Sequence, residues 1–256
     1  MLEPSPSSVQ SSLSTLLARA RTFWPLATIS TPDSIRYTRA LSKARQPGRI
    51  LDLGCGNHSP TTFRSAYPSA LYIGVERPDA SVPGVDSQSA DSILRLDLDR
   101  VDISTLPVRD FDLVVASHVI EHLAKGTRLL VEAASLMRES GLLYVAFPTP
   151  ASVGFPSRKG TLNFYDDPTH INLVHPEDAI KAIEAAGLSL LFCGRPRSAG
   201  KILGLPLQLA MAPLTGGVTG PMLWELYRFQ EVLIARKPSA LVERVAATGG
   251  RGASPR

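Results

Sequence analysis

The run Arg49-Ile-Leu-Asp-Leu-Gly-Cys-Gly56 constrains this chain more than any other stretch. It starts as a short apolar strand and ends in an acidic residue and a Gly-x-Gly turn. Glycines are needed where main chain must approach a ligand with no Cβ in the way, and in an open sheet ligands bind at the carboxyl ends of the strands. A second apolar run, Leu71-Tyr-Ile-Gly-Val-Glu76, ends in a carboxylate 24 positions after Asp52. Folds of this kind place an acid roughly 20 residues on to hold ribose hydroxyls. The turn alone is a weak signal, but turn and acid together describe a nucleoside pocket. A dinucleotide site asks for Gly-x-Gly-x-x-Gly, whose third glycine lets the helix pack closely and point its N-terminus at the pyrophosphate. Here the turn continues Asn57-His58-Ser59, which weighs against a nicotinamide oxidoreductase.

From Arg49 onward short apolar runs alternate with helical stretches, the pattern of repeated βα units and a mainly parallel α/β sheet. Strands are expected at Arg49–Leu53, Leu71–Glu76, Ser92–Leu96, Phe111–Ser117, Gly141–Pro148, Leu188–Cys193 and Glu231–Arg236. Helices are expected at Ser59–Ala66, at Val119–Glu121 with a sequel over Gly126–Arg138, and at Pro176–Ala186, closed by Gly187 as a C-terminal cap. Ahead of this core, residues 1–13 are rich in Ser and Pro, and Leu13–Trp24 reads as an amphipathic helix. A second helix over Pro32–Ala44 would take Thr31 as N-cap and Pro32 as its first residue. Residues 1–45 thus form a tail and helical lid or brace, 46–236 a core domain, and 237–256 a disordered tail. Two stretches, 149–175 and 195–227, break the alternation. Loops this long in a compact domain are usually functional, and substrate recognition is placed there.

At 256 residues, with 44% hydrophobic and 20% charged, the chain can bury a full core. Its net charge of +4 comes from scattered basic residues, clustered only at Arg236, Lys237, Arg244, Arg251 and Arg256. Nucleic-acid binding would call for a dense basic stripe with interleaved aromatics, so no such partner is expected. Cys55 and Cys193 are the only cysteines, which indicates neither a disulfide framework nor a zinc site and suits a cytoplasmic location. The first residues do not read as a signal peptide. The most apolar run, Ile202–Leu214, is broken by Gly204, Pro206 and Pro213 and falls short of the roughly 20 residues of a membrane span.

With the third and fourth strands the likeness becomes specific. Leu96-Asp97-Leu98, then Phe111-Asp-Leu-Val-Val-Ala-Ser-His-Val-Ile-Glu-His-Leu123, resemble the successive motifs of the class I S-adenosylmethionine-dependent methyltransferases, of the type 11 kind that serves small-molecule and polysaccharide pathways. The resemblance covers residues 49–148 well and runs more loosely to 236. It implies a Rossmann-like fold, with a seven-stranded mainly parallel sheet, helices on both faces and two lid insertions. It also implies S-adenosylmethionine as cofactor and S-adenosylhomocysteine as product. By the same resemblance Asp52, Gly54, Cys55 and Gly56 lie along the methionine part, Glu76 beside Arg77 takes the ribose hydroxyls, and Asp97 with Leu98 meets the adenine. Ser117 and His118 would stand near the sulfonium and its methyl group. Asp97 has the alternative of a surface acid among Asp91, Asp99 and Asp102. Cys55 reads as a packed residue, since nothing beside it supplies a base. Glu121 and His122 open a helix in family members, where an acid also suits the helix dipole.

The segment Leu162-Asn-Phe-Tyr-Asp-Asp-Pro-Thr-His-Ile-Asn-Leu-Val-His-Pro176 gathers aromatics, carboxylates and two histidines just after the fifth strand. Its string Phe164-Tyr-Asp-Asp-Pro-Thr-His170 is similar to one in methyltransferases of polysaccharide and secondary-metabolite pathways. Methyl transfer from a sulfonium is an in-line displacement with a neutral leaving group, so positioning supplies most of the acceleration. A hydroxyl acceptor must also lose its proton, for which a His or carboxylate at about 2.6–3.2 Å is the expected base. His170 is the first candidate and Asp167 the second, with His118 near the reacting methyl. Tyr165, Asp166, Asp167, His170 and His122 are the expected acceptor-binding residues. Two alternatives stand beside this one: His170 locks Asp166 or Asp167 by hydrogen bond, or the three hold a divalent metal. The metal reading is the weakest, and no metal is expected. The apolar stretch Gly200–Trp224 reads as a packed cap, with a wall for an apolar acceptor or a peripheral contact with a membrane carrying a lipid-linked substrate as its alternatives. The expected activity is methylation of an oxygen, less readily a nitrogen, on a small molecule such as a sugar or secondary metabolite. A non-catalytic nucleotide-binding module and an enzyme acting on protein or RNA are its rivals.

Overall fold

The computed structural model describes residues 32–42, 46–80, 84–158, 162–214 and 217–239. The helix expected at Leu13–Trp24 and most of the expected tail lie outside them. Seven strands form one sheet: β1 (Arg49–Leu53), β2 (Leu71–Glu76), β3 (Ser92–Arg95), β4 (Phe111–Ser117), β5 (Met137–Pro148), β6 (Ser189–Gly194) and β7 (Gln230–Arg236). Their order is β3-β2-β1-β4-β5-β7-β6. The first five run parallel, and β7 lies antiparallel between β5 and β6.

A parallel sheet is covered on both faces, so its strands read as continuous apolar runs whose alternate residues feed two cores. On one face Leu51, Leu53, Val75, Val114 and Val145 meet Leu129 and Ala133 of α4 (Gly126–Leu136) and Ile183 of α5 (Pro176–Ala185). On the other, Ile50, Tyr72, Val115 and Tyr144 meet Ile35 of α1 (Asp33–Leu41) and Phe63 of α2 (Ser59–Ala66). Each fully buried side chain of this kind stabilises the fold by about 1.5–3 kcal/mol. The described part of the expected brace is therefore integral to the second core. Gln230 Nε2 donates to Asp33 Oδ2 at 2.6 Å and Arg236 donates to the Leu41 carbonyl at 2.9 Å, fastening α1 to β7.

Several boundaries move. Pro32 is the N-cap of α1 rather than its first residue, because its ψ of 147° keeps it extended, and the helix stops at Leu41 instead of Ala44. β5 starts at Met137, four residues before the expected Gly141, because Met137 pairs with Phe111 ahead of a register shift. Lys237 is tied down rather than part of a loose tail. Its Nζ donates to the carbonyls of Ala134 at 3.1 Å and Met137 at 2.8 Å. Helix α3 (Gly84–Ser89) escapes the sequence reading because it is one short turn-rich stretch without an apolar face. Gly187 closes α5 as expected: at φ 75° it donates to Glu184 at 2.9 Å while Leu188 donates to Ile183 at 3.1 Å, a Schellman pairing.

The stretch 195–227 folds into α6 (Ala199–Met211) and α7 (Gly220–Tyr227). Glu225 joins them, accepting from Lys201 Nζ at 2.7 Å and from the Ser198 amide at 2.8 Å. No residue of α6 is buried, and Leu203 and Leu207 are 81% and 61% exposed. α6 contacts α7 and leaves Leu203, Leu207 and Leu209 exposed, so it is not the fully packed cap that its apolar composition suggests.

Candidate functional site

The chain leaves β1 for β2 and β3 on one side and returns to β4 and β5 on the other, so the sheet has a topological switch point between β1 and β4. The crevice outside such a point is where open α/β sheets bind ligands. A cleft of about 830 Å³ opens there, lined by Gly54, Glu76, Arg77, Asp97, Leu98, His118, His122 and Thr169, with further residues of the same loops.

One wall is built from main chain. Gly54 and Gly56 have φ of 68° and 51°, and a Cβ at Gly54 would stand 2.5 Å from Val119 Cγ2. Only glycine meets both demands there. The amides of Gly54 and Cys55 donate to the Val75 carbonyl at 2.8 and 3.0 Å. Glu76 Oε2 accepts from the Gly56 amide at 2.7 Å, and Oε1 from its neighbour Arg77 at 2.9 Å. The carboxylate is thereby held at the mouth of the turn. Asp97 lies on the next wall beside Leu98, its oxygens taken by the Asp99 amide at 3.0 Å and by Arg100 Nε at 3.2 Å.

Asp52 does not face the cleft. It is 2% exposed and accepts from the Tyr72 hydroxyl at 2.6 Å and from the Ser59 hydroxyl, pinning the glycine turn from beneath. Burial pushes its carboxyl up to about 6 against those two hydrogen bonds, with the Glu76 charge adding to the rise. Burial, then the charges of Asp52 and Glu76, push the Cys55 thiol up to about 12, so it stays protonated.

The opposite wall is made by the end of β4. Ser117 is its last residue, partly buried. His118 follows with φ 54°, a left-handed conformation that a non-glycine residue adopts under constraint. Its Nδ1 lies 3.1 Å from Glu121 Oε1 and its Nε2 3.2 Å from Gln230 Oε1, while its ring packs 5.0 Å from Trp224. Gln230 spends its amide N–H on Asp33, so it presents oxygen to His118. Both imidazole nitrogens thus face acceptors. Burial works against the charged ring, but Glu121, by hydrogen bond and charge, and Gln230 raise the His118 pKa above its ordinary value. His118 is a donor here, not a free base.

The loop after β5 contributes from a second layer. Asp166 accepts from the Ser157 hydroxyl at 2.5 Å and from the amides of Arg158, Leu162 and Asn163 at 2.8, 3.1 and 2.8 Å. These donors outweigh its partial burial and hold its carboxyl at about 2, so main chain rather than His170 locks it. Asp167 accepts from the Thr169 amide and hydroxyl at 2.8 and 2.6 Å, and those bonds overcome burial to lower its pKa. His170 Nε2 stands 3.9 Å from Asp167, beyond hydrogen-bond reach. The His170 side chain is 5% exposed, and its ring sits 4.8 Å behind that of His122, which lines the cleft. Tyr165 is 66% exposed. Glu121 is wholly buried in a 3₁₀ turn over Ile120–His122, separate from α4, where an opening turn of that helix is expected. Gln230 joins the site with no mark in the sequence, while Trp224 and Thr169 come from the two stretches in which substrate recognition is expected.

Comparison with known proteins agrees with this geometry. The profile of a family described as a methyltransferase domain matches residues 33–191. The ubiquinone biosynthesis O-methyltransferase of Sinorhizobium fredii is 26% identical over 150 residues, covering 56% of this chain and 60% of that protein. The corresponding protein of Rhizobium leguminosarum bv. trifolii is 28% identical over 160 residues, covering 56% and 59%. The chain therefore spans about three fifths of the length of these relatives. In fold it is similar to an S-adenosylmethionine-dependent methyltransferase from Mesorhizobium loti, with TM-score 0.51, 17% identity and coverage of 80% and 98%. A plantazolicin methyltransferase solved with S-adenosylhomocysteine and a desmethyl analogue gives TM-score 0.52 at 14% identity, covering 80% and 82%. The matched span takes in the glycine turn, Glu76, Asp97 and the β4 wall, and the chain belongs to this methyltransferase domain family, with S-adenosylmethionine as its cofactor.

Proposed function

We propose that this chain transfers a methyl group from S-adenosylmethionine to an oxygen of a small hydroxylated molecule, such as a sugar or secondary metabolite. The observation that carries the reading is one continuous cleft. It runs from the carboxylates suited to a nucleoside, Glu76 and Asp97, to a wall of imidazoles at His118 and His122. Glu76 takes the ribose hydroxyls, Asp97 and Leu98 meet the adenine, and the bare main chain at Gly54 and Gly56 leaves room for the methionine part. Asp52 and Cys55 support that turn from behind rather than touching the ligand. Ser117 and His118 border the methyl group. The names of the relatives, O-methyltransferases, support oxygen over nitrogen as the acceptor atom.

In the transfer the acceptor oxygen forms a bond to the methyl carbon while the carbon–sulfur bond breaks, and the thioether leaves neutral. Alignment of oxygen, carbon and sulfur supplies most of the acceleration. The acceptor's proton leaves toward the imidazole group formed by His122 and His170, the latter acting from behind and positioned by Phe164. Asp167 and Thr169 keep that group in place. Among the described residues no helix is long and apolar enough to cross a membrane. The outward leucines of α6 suit a peripheral encounter with a lipid surface, as an apolar acceptor would require.

The test is a methyl-transfer screen over hydroxylated acceptors read by mass. With the best acceptor, His170→Ala is expected to lower turnover by about 10²-fold or more, while calorimetry with S-adenosylhomocysteine shows affinity unchanged within about twofold. Unchanged turnover removes His170 from the reaction. Absence of binding by S-adenosylhomocysteine to folded wild-type protein defeats the reading as a whole.

A further inference from the structure

Glu121, His122 and His170 come from two loops, yet one ligating atom from each lies within 4.8 Å of the others. What the rest of the structure does to these three side chains is specific. Glu121 is wholly buried; one of its oxygens is held by His118 at 3.1 Å, while Oε2 has no hydrogen-bond partner among the described residues. A buried carboxylate oxygen left unpaired costs free energy, and such groups in folded proteins point to a missing partner. The two histidines are prepared for the same partner. His170 Nδ1 faces the Phe164 carbonyl at 2.7 Å, and His122 Nδ1 faces the Thr169 carbonyl at 3.2 Å and the Thr169 hydroxyl at 2.9 Å, whose own proton goes to Asp167 Oδ1 at 2.6 Å, so that this hydroxyl too is left to accept. A carbonyl only accepts, so each Nδ1 carries the proton and each Nε2 keeps its lone pair. Metal-ligating histidines are oriented in this way, with the second ring nitrogen donating to a carbonyl that fixes the tautomer.

We propose that Glu121, His122 and His170 form a binding site for a divalent transition-metal ion, at the end of the cleft opposite the nucleoside walls. Two imidazoles and one carboxylate suit zinc, iron(II), cobalt or nickel better than magnesium or calcium, which take oxygen ligands. The set differs from Asp166, Asp167 and His170, the grouping visible along the sequence, since the fold commits Asp166 to three amides and a hydroxyl. His118 holds the first oxygen of Glu121 and so aims the second. Asp167, 3.9 Å from His170 Nε2, stands in the surrounding layer. The site deepens the reading above and rests on it for its role. Beside His122 on the cleft wall, an ion would ligate the acceptor oxygen and lower its pKa, so that with metal bound the proton would pass to water in the open cleft and the three side chains would act as ligands, in place of the imidazole route given above.

Cobalt(II) is the probe, because its visible absorption reports coordination without any acceptor present. The full chain, treated with chelator and then titrated with cobalt(II) chloride, is expected to bind one equivalent with imidazole-dependent absorption bands. His170→Ala and Glu121→Gln should each weaken that binding at least tenfold, and Cys193→Ser, which removes the exposed thiol, should leave it unchanged. Binding of S-adenosylhomocysteine by calorimetry, kept within about twofold in the variants, shows that they are folded. No bound cobalt in the folded wild type overturns the metal site. So does binding of equal strength in the His170 and Glu121 variants, or binding abolished by Cys193→Ser. Because the readout needs neither methyl transfer nor an acceptor, failure here leaves the cofactor reading standing. A protein that binds cobalt but not S-adenosylhomocysteine sinks the earlier reading and keeps the metal.

Discussion

The two ends of the cleft are built by different means. At the proposed nucleoside end the working parts are main chain and strand-terminal carboxylates: Gly54 and Gly56 at positive φ, Glu76 on the Gly56 amide, and Asp97 just past the end of β3. Each occupies its place because a parallel strand ends there. At the acceptor end the parts are side chains drawn from distant segments, with His122 meeting Thr169 across 47 residues and His118 meeting Gln230 across 112. The first end is a property of the fold, and the second is an assembly on top of it. Changes at the first should therefore disable cofactor binding, while changes at the second, apart from His118 which borders the methyl group in the proposed function, should spare it.

The sharpest way to break that contrast is Glu76→Ala. Its carboxylate accepts from the Gly56 and Arg77 amides and, in the function proposed above, takes two ribose hydroxyls, and charge-assisted hydrogen bonds contribute about 1.5–3 kcal/mol each. S-Adenosylhomocysteine affinity measured by calorimetry is expected to fall about 10³-fold. An effect below tenfold would mean that the nucleoside end does not depend on the strand-end acid, and the contrast with the histidine wall would fail.

How far each end could be read from sequence follows from the same difference. The strands β1, β2 and β4 are found at their expected limits because buried parallel strands are continuous apolar runs, and a glycine turn between two of them has a fixed spacing to the next acid. Gly187 is legible because a helix end needs a left-handed residue. Along the sequence, Asp166 and Asp167 stand beside His170, and adjacency suggests a cluster. In the fold main chain consumes Asp166, while Glu121, placed as a helix-opening acid, becomes the buried centre of the group. Gln230 carries no mark, since a glutamine at the start of a strand fits many surroundings, and Trp224 is legible only as the end of an apolar stretch, not as the partner of His118. The first half of α6 is readable as apolar but not as exposed, because composition does not say which way a helix turns.

A second test concerns the support beneath the glycine turn. The Asp52 carboxyl is raised to about 6 by burial, so the folded protein keeps its proton where the unfolded chain releases it near 3.8. A raised carboxyl contributes stability at low pH and loses it as pH rises through the folded value. Between about pH 4 and 6 the wild type should therefore lose on the order of 3 kcal/mol relative to Asp52→Asn, whose amide oxygen still accepts from Tyr72 and Ser59. Asp166, held at about 2, works in the opposite direction but is common to both proteins. Urea unfolding of the pair at several pH values isolates the difference. Parallel curves would show that Asp52 is not protonated in the fold and that the turn rests on a charged support.

The smallest effect on stability, and the finest division of the acceptor end, is expected at α6. Leu203 and Leu207 lie one helical turn apart, 81% and 61% exposed, so their side chains are already in water and replacing both by serine removes little buried surface. The stability of that double variant should stay within about 0.5 kcal/mol of wild type. The Lys201–Glu225 pair that joins α6 to α7 is untouched, so the helix keeps its seat. If the outward leucines serve only as surface, sedimentation with phosphatidylglycerol vesicles will not distinguish the two proteins. If they meet lipid, the wild type will sediment and the variant will stay in solution, because Leu203 and Leu207 are the most exposed of the large apolar side chains on α6. Binding of S-adenosylhomocysteine should be equal in both proteins. A change in it would show that α6 reaches the nucleoside end, and the separation of the two ends would be lost.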